Sequence, residues 1–193
     1  MNEFDIGLML RLNFDGGVIM DNIMWYCSRI WFWIPLYLVV LYLVYRRFGW
    51  KYMLFALLFF VAGIGICDQV CNFFKANIPY LRPTRDPAVA PLLHTVRGYT
   101  GGMYGTVSGH ASTSFFIFLL SSLIMRRGWF TAMMLCYALL TSYSRIYLGV
   151  HFPMQILFGI ILGTLVALLL WWLFRWLSRR YGWAKPALNR PAP

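Results

Sequence analysis

Three short stretches set polar and ionisable side chains at the ends of otherwise apolar runs. "KANIPYLRP" runs from Lys75 to Pro83, "VSGH" from Val107 to His110, and "SRIYLGVH" from Ser144 to His151. Lys75, Arg82 and Arg145 supply three cations, and a guanidinium suits two-point capture of phosphoryl oxygens. Ser108 and Gly109 precede a predicted helix, whose free N–H groups and dipole favour an anion. His110 and His151 titrate near neutrality, so one can attack while the other gives a proton. These residue types together suit phosphoryl transfer.

The surrounding chain fixes where that chemistry takes place. Of its 193 residues 61% are hydrophobic, 19% aromatic and only 12% charged, against about a quarter charged in an ordinary soluble domain. The class is an integral membrane protein, and the length predicts one domain over 1–193. The expected architecture is all-α: a polytopic membrane helical bundle of about five transmembrane helices. A span needs about 20 residues, and the candidate runs are Met24–Tyr45, Tyr52–Phe74, Ala111–Met125, Trp129–Leu148 and Phe152–Leu177. Residues 1–22 read as an interfacial amphipathic helix, with Phe4, Ile6, Leu8 and Met9 beside Glu3, Asp5 and Arg11. The polar, acidic start lacks a cleavable leader pattern, so the first apolar run is expected to remain in the mature protein. The tail 183–193 reads as disordered.

A net charge of +11 raises the question of nucleic acid, but its distribution points elsewhere. Basic residues cluster between apolar runs: Arg46, Arg47 and Lys51, then Arg126 and Arg127, then Arg175, Arg179, Arg180, Lys185 and Arg190. That is the positive-inside pattern of cytoplasmic loops, and no nucleic-acid partner is expected. Placing these ten of the 17 basic residues in the cytoplasm puts residues 75–110 and 144–151 on the outer side. The three polar stretches then meet at one depth.

In order, the stretches read KxxxxxxRP, a variant of PSGH, and SRxxxxxH. They closely resemble the tripartite signature of the type 2 phosphatidic acid phosphatase family, which shares its core site with vanadium haloperoxidases. The resemblance implies that His151 is a nucleophile forming a phosphohistidine and that His110 is the general acid. It implies that Lys75, Arg82, Ser108, Gly109 and Arg145 hold the phosphoryl oxygens. It also implies no metal and no cofactor, the cations supplying the charge stabilisation. The implied partners are the bilayer and a phosphorylated membrane lipid, hydrolysed at the periplasmic face of the inner membrane. Undecaprenyl diphosphate or a lipid A phosphate is the favoured substrate. Phosphatidylglycerophosphate, phosphatidate and lipid-to-lipid phosphotransfer are the alternatives. A transporter or scaffold would scatter polar groups at mid-span, whereas here they gather at span ends. The sequence is silent on oligomeric state.

Two positions depart from the family pattern. Val107 replaces the usual proline. Gln155 stands where an aspartate usually accepts the second ring N–H of the nucleophile, and it supports the ring without a charge. Loss of that carboxylate predicts either reduced activity or a substitute carboxylate. Asp68 is one candidate, since Asp68, Asn72 and Lys75 follow one helix face. It would orient Lys75 or a histidine, or else pair with an arginine at the bundle's edge.

Other polar and sulfur-bearing residues have plainer readings. His94 reads as loop packing, and Arg85, Asp86 and Arg97 as solvated loop charges rather than a lid. Cys27, Cys67, Cys71 and Cys136 read as buried space-filling thiols. Trp25, Trp31, Trp50, Trp129, Trp171 and Trp172 read as interfacial anchors.

Overall fold

A chain this poor in polar side chains has to satisfy its backbone N–H and C=O groups internally, and in lipid a helix is one of the few ways to do so. The computed structural model describes residues 3–181, and it is all-helical. The helices are α1 (Glu3–Leu12), α2 (Gly17–Cys27), α3 (Ile30–Phe48), α4 (Trp50–Asn77), α5 (Gly109–Met125), α6 (Gly128–Tyr147) and α7 (Pro153–Arg180). Two single 3-10 turns, Pro83–Arg85 and Ala90–Leu92, punctuate the long connection between α4 and α5. Among the described residues the β pairing is one isolated bridge, Leu81 to Tyr104, across that connection. The expected disordered tail, 183–193, lies outside the described residues.

Helices α3, α4 and α7 are long and apolar enough to cross a membrane, and α5 is a shorter apolar helix of 17 residues. Helix α6 has 20 residues, but its C-terminal half carries Thr141, Ser142, Ser144 and Arg145, all buried. The chain is thus a multi-pass membrane protein. Two boundaries differ from the sequence reading. The single amphipathic helix expected over 1–22 is two helices, broken between Leu12 and Gly17. Asn13 turns its side chain away there, donating to the Tyr147 carbonyl at 2.6 Å and accepting from His94 N at 2.8 Å. Gly17 then takes φ +75°, a left-handed conformation that glycine adopts without Cβ strain. The first span also begins at Ile30 rather than Met24. Ser28 Oγ donates to the Trp25 carbonyl at 2.7 Å and Arg29 is extended, which ends α2 and restarts the chain as α3.

Helix α5 is the axis of the bundle, packed against α4, α6 and α7. The α5–α7 contact is backbone-close because of two glycines one turn apart. A Cβ on Gly163 would lie 2.1 Å from the Ser112 carbonyl oxygen, and one on Gly159 would lie 2.6 Å from that of Ser108. Below that contact Phe55, Phe59 and Phe174 interlock, Phe55 stacked on Phe174 at 4.9 Å and Phe59 edge-on to it at 5.2 Å. At the far end the Arg47 guanidinium donates to the Met125 carbonyl, tying α3 to the C-terminus of α5. The thiols of Cys27, Cys67 and Cys71 are buried as expected. Cys136 is not: it is exposed on the outer face of α6.

The glycine contact yields a stability test. Gly163→Ala should lower the melting temperature in detergent by several degrees, as overpacking of about 1–3 kcal/mol would. Gly65→Ala, whose Cβ meets nothing within 4 Å, should leave it unchanged.

Candidate active site

The antiparallel packing of the helices brings the C-termini of α4 and α6 and the N-termini of α3, α5 and α7 to one end of the bundle. Lys75 lies in the last turn of α4, Ser108 caps α5, and Arg145 sits in the last turn of α6. The turn Leu148–Phe152 then delivers His151 to the start of α7. Both Val150 N and His151 N donate to the Arg145 carbonyl, at 3.0 and 3.3 Å. That turn fixes the arginine and the histidine to one another.

His151 is 2% exposed. Its Nδ1 faces two acceptors, Gln155 Oε1 at 2.9 Å and the Gly105 carbonyl at 3.1 Å. A backbone carbonyl can only accept, so Nδ1 carries the proton and Nε2 presents its lone pair. Burial first, and then the Arg82 and Arg145 cations, push the His151 pKa well below the usual histidine range. The ring is therefore neutral at physiological pH. Gln155 spends its whole amide here. Its oxygen also accepts from Phe152 N at 3.3 Å, its Nε2 donates to the Leu81 carbonyl at 3.5 Å, and its own carbonyl accepts from Ser108 N at 3.1 Å. One residue thus joins the three polar stretches. Gly105 has to be glycine for this: a Cβ there would meet Gln155 Oε1 at 2.8 Å and His151 Nδ1 at 3.1 Å.

The cations close around these rings. Arg145 is 3% exposed, its Nη2 donates to Tyr99 Oη at 3.3 Å, and its Nε has no partner among the described residues. Arg82 is half-buried, its Nε donating to the Tyr104 carbonyl at 3.0 Å. Burial first, and then the neighbouring Arg145 charge, lower the Arg82 pKa. Ser108 is fully buried and its Oγ accepts from Ala111 N at 3.4 Å, opening α5 with Gly109 and His110 in its first turn. His110 is half-buried with Nε2 3.2 Å from the Ser28 carbonyl, so that nitrogen is the donor. The charges of Arg145, Arg82 and Lys75 all bear on this ring. The His94–Asp21 contact at 2.8 Å is the one ion pair among the described residues, so Lys75, Arg82 and Arg145 have no acidic counterpart. A tetrahedral oxyanion fits such a cradle of unneutralised donors.

Asp68 stands apart from this arrangement. It is exposed on α4 and accepts from Asn72 Nδ2 at 3.1 Å, meeting neither histidine nor Lys75. Among the described residues no other carboxylate replaces the expected aspartate; the Gly105 carbonyl and Gln155 share its role of accepting from Nδ1. His94 packs in the loop as expected, its ring 5.6 Å from that of Tyr147, and Arg85 and Arg97 are exposed. Two contributors escaped the sequence reading. Tyr99 comes from the glycine-bearing loop and touches Arg145, and the Gly105 carbonyl reaches His151. A carbonyl leaves no trace in sequence, and Tyr99 has no motif around it.

Two apolar recesses flank the site. One, of about 130 Å³, is lined by His110, Arg29, Trp33, Tyr37 and Ile117 and shares Tyr37, Ile64 and Ile117 with a second cavity of about 180 Å³ deeper between α3 and α4. The other, of about 500 Å³, lies between the end of α4 and α7, against Phe74, Tyr80, Val107 and Phe158.

The chain is similar to several lipid phosphatases. Lipid A 4'-phosphatase of Porphyromonas gingivalis is 33% identical over 165 residues, 85% of this chain and 70% of that protein. Lipid A 4'-phosphatase of Bacteroides thetaiotaomicron is 29% identical over 182 residues, covering 93% and 79%. An undecaprenyl-diphosphatase of Sulfolobus acidocaldarius is 28% identical, covering 86% and 76%. The crystal structure of a transmembrane PAP2 type phosphatidylglycerolphosphate phosphatase from Bacillus subtilis has the same fold, with a TM-score of 0.70 at 19% identity over 92% of this chain and 87% of that one. The PAP2 superfamily pattern matches residues 53–179, which include all three polar stretches and four helices of the bundle, and the chain belongs to that superfamily.

Proposed function

We propose that this PAP2-type membrane lipid phosphatase works through a phosphohistidine on His151, at the outer face of the inner membrane. The observation that carries the reading is the buried, neutral His151 with Nδ1–H fixed and Nε2 free, among cations that have no acidic partner. The lipid phosphate docks on Arg145, Arg82, Lys75 and the N–H groups that open α5. His151 Nε2 attacks phosphorus in line; the N–P bond forms as the bond to the lipid oxygen breaks. That oxygen takes a proton from His110. Burial first, and then the neighbouring cations, oppose the doubly protonated His110 ring, whereas the Ser28 carbonyl on Nε2 and the bound phosphate's negative charge favour it. Water then attacks phosphorus, His110 takes its proton, the N–P bond breaks and inorganic phosphate leaves.

The recess lined by His110 lies on the leaving-group side, and the apolar cavity deeper between α3 and α4 suits the lipid's chains. A phosphate of lipid A is the first substrate reading, because two lipid A phosphatases are among the relatives. A polyprenyl diphosphate is the second, favoured by the undecaprenyl-diphosphatase relative. The outward orientation rests on the basic residues at the opposite end of the bundle.

Phosphate release from purified lipids in detergent tests the reading. His151→Ala should abolish release, and His110→Ala should lower it by about 10²–10⁴-fold. EDTA should have no effect, since the cations supply the charge stabilisation. Release that survives in His151→Ala would sink the phosphohistidine. A second test uses pH. Gln155→Glu places a negative charge beside the ring and favours the imidazolium, so His151 would hold its proton to a higher pH. The acid limb of the kcat/KM profile should therefore move upward; an unmoved limb would show that His151 does not set it.

A further inference from the structure

The cationic lining extends beyond the site just described. Arg29, at the start of α3, stacks its guanidinium on Trp25 at 4.0 Å and lies 5.5 Å from the ring of Tyr99. Arg145 lies 5.7 Å from that same Tyr99 ring. Arg97 sits 5.0 Å from the ring of Trp25, and Trp25 meets Tyr99 edge-on at 5.6 Å. The result is a ladder in which the Trp25 and Tyr99 rings separate Arg97, Arg29 and Arg145. Burial raises the Tyr99 phenol's pKa, but the Arg145, Arg82 and Arg29 charges outweigh it and bring it below the usual tyrosine range.

Arg29 has a use to account for. It is half-buried, and among the described residues its guanidinium has no hydrogen-bond partner and no acidic neighbour. Stacking on Trp25 leaves the N–H edge of the guanidinium available while it holds the plane still. A solvated surface arginine has no need of two aromatic rings to fix it. Arg29 also lines the recess of about 130 Å³ that His110 lines. It therefore lies on the side to which a leaving group departs.

We propose that Arg29, held by Trp25 and Tyr99 and backed by Arg97, is a second anion subsite that binds a further phosphate on the leaving-group side of the substrate. The reading rests on the phosphatase function above and narrows its substrate class to lipids carrying two phosphates. Two sources have that chemistry: the inner phosphate of a polyprenyl diphosphate, and the second phosphate of a bisphosphorylated lipid. Arg29 would hold the second phosphate in the ground state and steady its growing charge as the leaving oxygen departs. Arg29 is a specificity residue here, not part of the phosphoryl cradle.

The test compares kcat/KM for matched pairs: undecaprenyl diphosphate against undecaprenyl monophosphate, and bisphosphorylated lipid A against lipid A with only its 4'-phosphate. Wild type should favour the two-phosphate member of one pair, and that pair identifies the source. Arg29→Gln should cut the preference roughly ten- to hundredfold, as loss of a charge-assisted contact does, and Arg29→Lys should restore part of it. An equal preference in wild type and Arg29→Gln, with both still melting cooperatively, would overturn the subsite while leaving the phosphatase reading intact. If wild type releases no phosphate from any lipid, the phosphatase reading itself fails. The subsite is then decided by calorimetry, with methylenediphosphonate against methylphosphonate. Tighter diphosphonate binding that Arg29→Gln abolishes supports it, and equal binding overturns it.

Discussion

Everything at the site end of this bundle follows from one electrostatic demand: several cations and two histidines must be held together with no carboxylate among them. Two unit charges about 8 Å apart repel by about 2 kcal/mol at an effective dielectric near 20. The scaffold has to absorb several such terms before any substrate arrives. It does so with rigid attachments. Arg145 is fixed by a buried helix end and the Tyr99 hydroxyl, and Arg82 by the Tyr104 carbonyl. Arg29 is held between Trp25 and Tyr99. A phosphate entering this field gains from every charge at once, and the cost of gathering them was met by helix packing. The backbone-close contact of α5 with α7 at Gly159 and Gly163 is the mechanical counterpart, since it brings Ser108 and His151 to one depth.

The same demand makes sense of Gln155. A carboxylate at that position would favour the charged ring, and it would accept hydrogen bonds only. The amide accepts from His151 and from Phe152 N, and it also donates to the Leu81 carbonyl. It thereby trades electrostatic support of the imidazolium for a tie across the three stretches. The Gly105 carbonyl supplies the second acceptor, so the tautomer is fixed without a charge. In the proposed mechanism the neutral His151 nitrogen, in a pocket of low dielectric and surrounded by cations, is ready to attack. The penalty would fall later, when positive character develops on the ring and a bound phosphate has to balance it.

The N-terminal helices act as a clamp on this end of the bundle. Asn13 bonds the backbone at Tyr147 and His94, and Asp21 accepts from Tyr147 Oη at 2.6 Å while meeting His94 Nε2 at 2.8 Å. The Tyr147 hydrogen bond holds the Asp21 carboxyl below the usual carboxylate range. On α1, Asp5 accepts from Met154 N at 3.0 Å, in the first turn of α7. Helices α1 and α2 thus brace both sides of the turn that carries His151. Those contacts span 73 to 149 residues of sequence, and Asp5, Asn13, Asp21 and His94 all lie outside the three polar stretches.

The sequence by itself determined the class and the apolar helices, and its spacing singled out Lys75, Arg82, Ser108, Gly109, His110, Arg145 and His151 as residues that share one end of the bundle. Composition decides solvent, and short-range spacing decides which side chains share a helix end. Both are local properties that can be read along the chain. It misjudged what depends on backbone and on distant contacts. Asp68 follows the helix face of Lys75 by periodicity, yet two turns before Lys75 that face is exposed, and only packing decides where along a helix a face is covered. The break at 13–16 comes from Asn13 reaching residues 94 and 147. The Gly105 carbonyl and the Arg29–Trp25–Tyr99 ladder exist only once the α4–α5 connection folds over the helix ends. Every residue has a carbonyl and a lone arginine beside an apolar run has no motif around it, so neither carries meaning until the tertiary structure sets it beside His151 or His110.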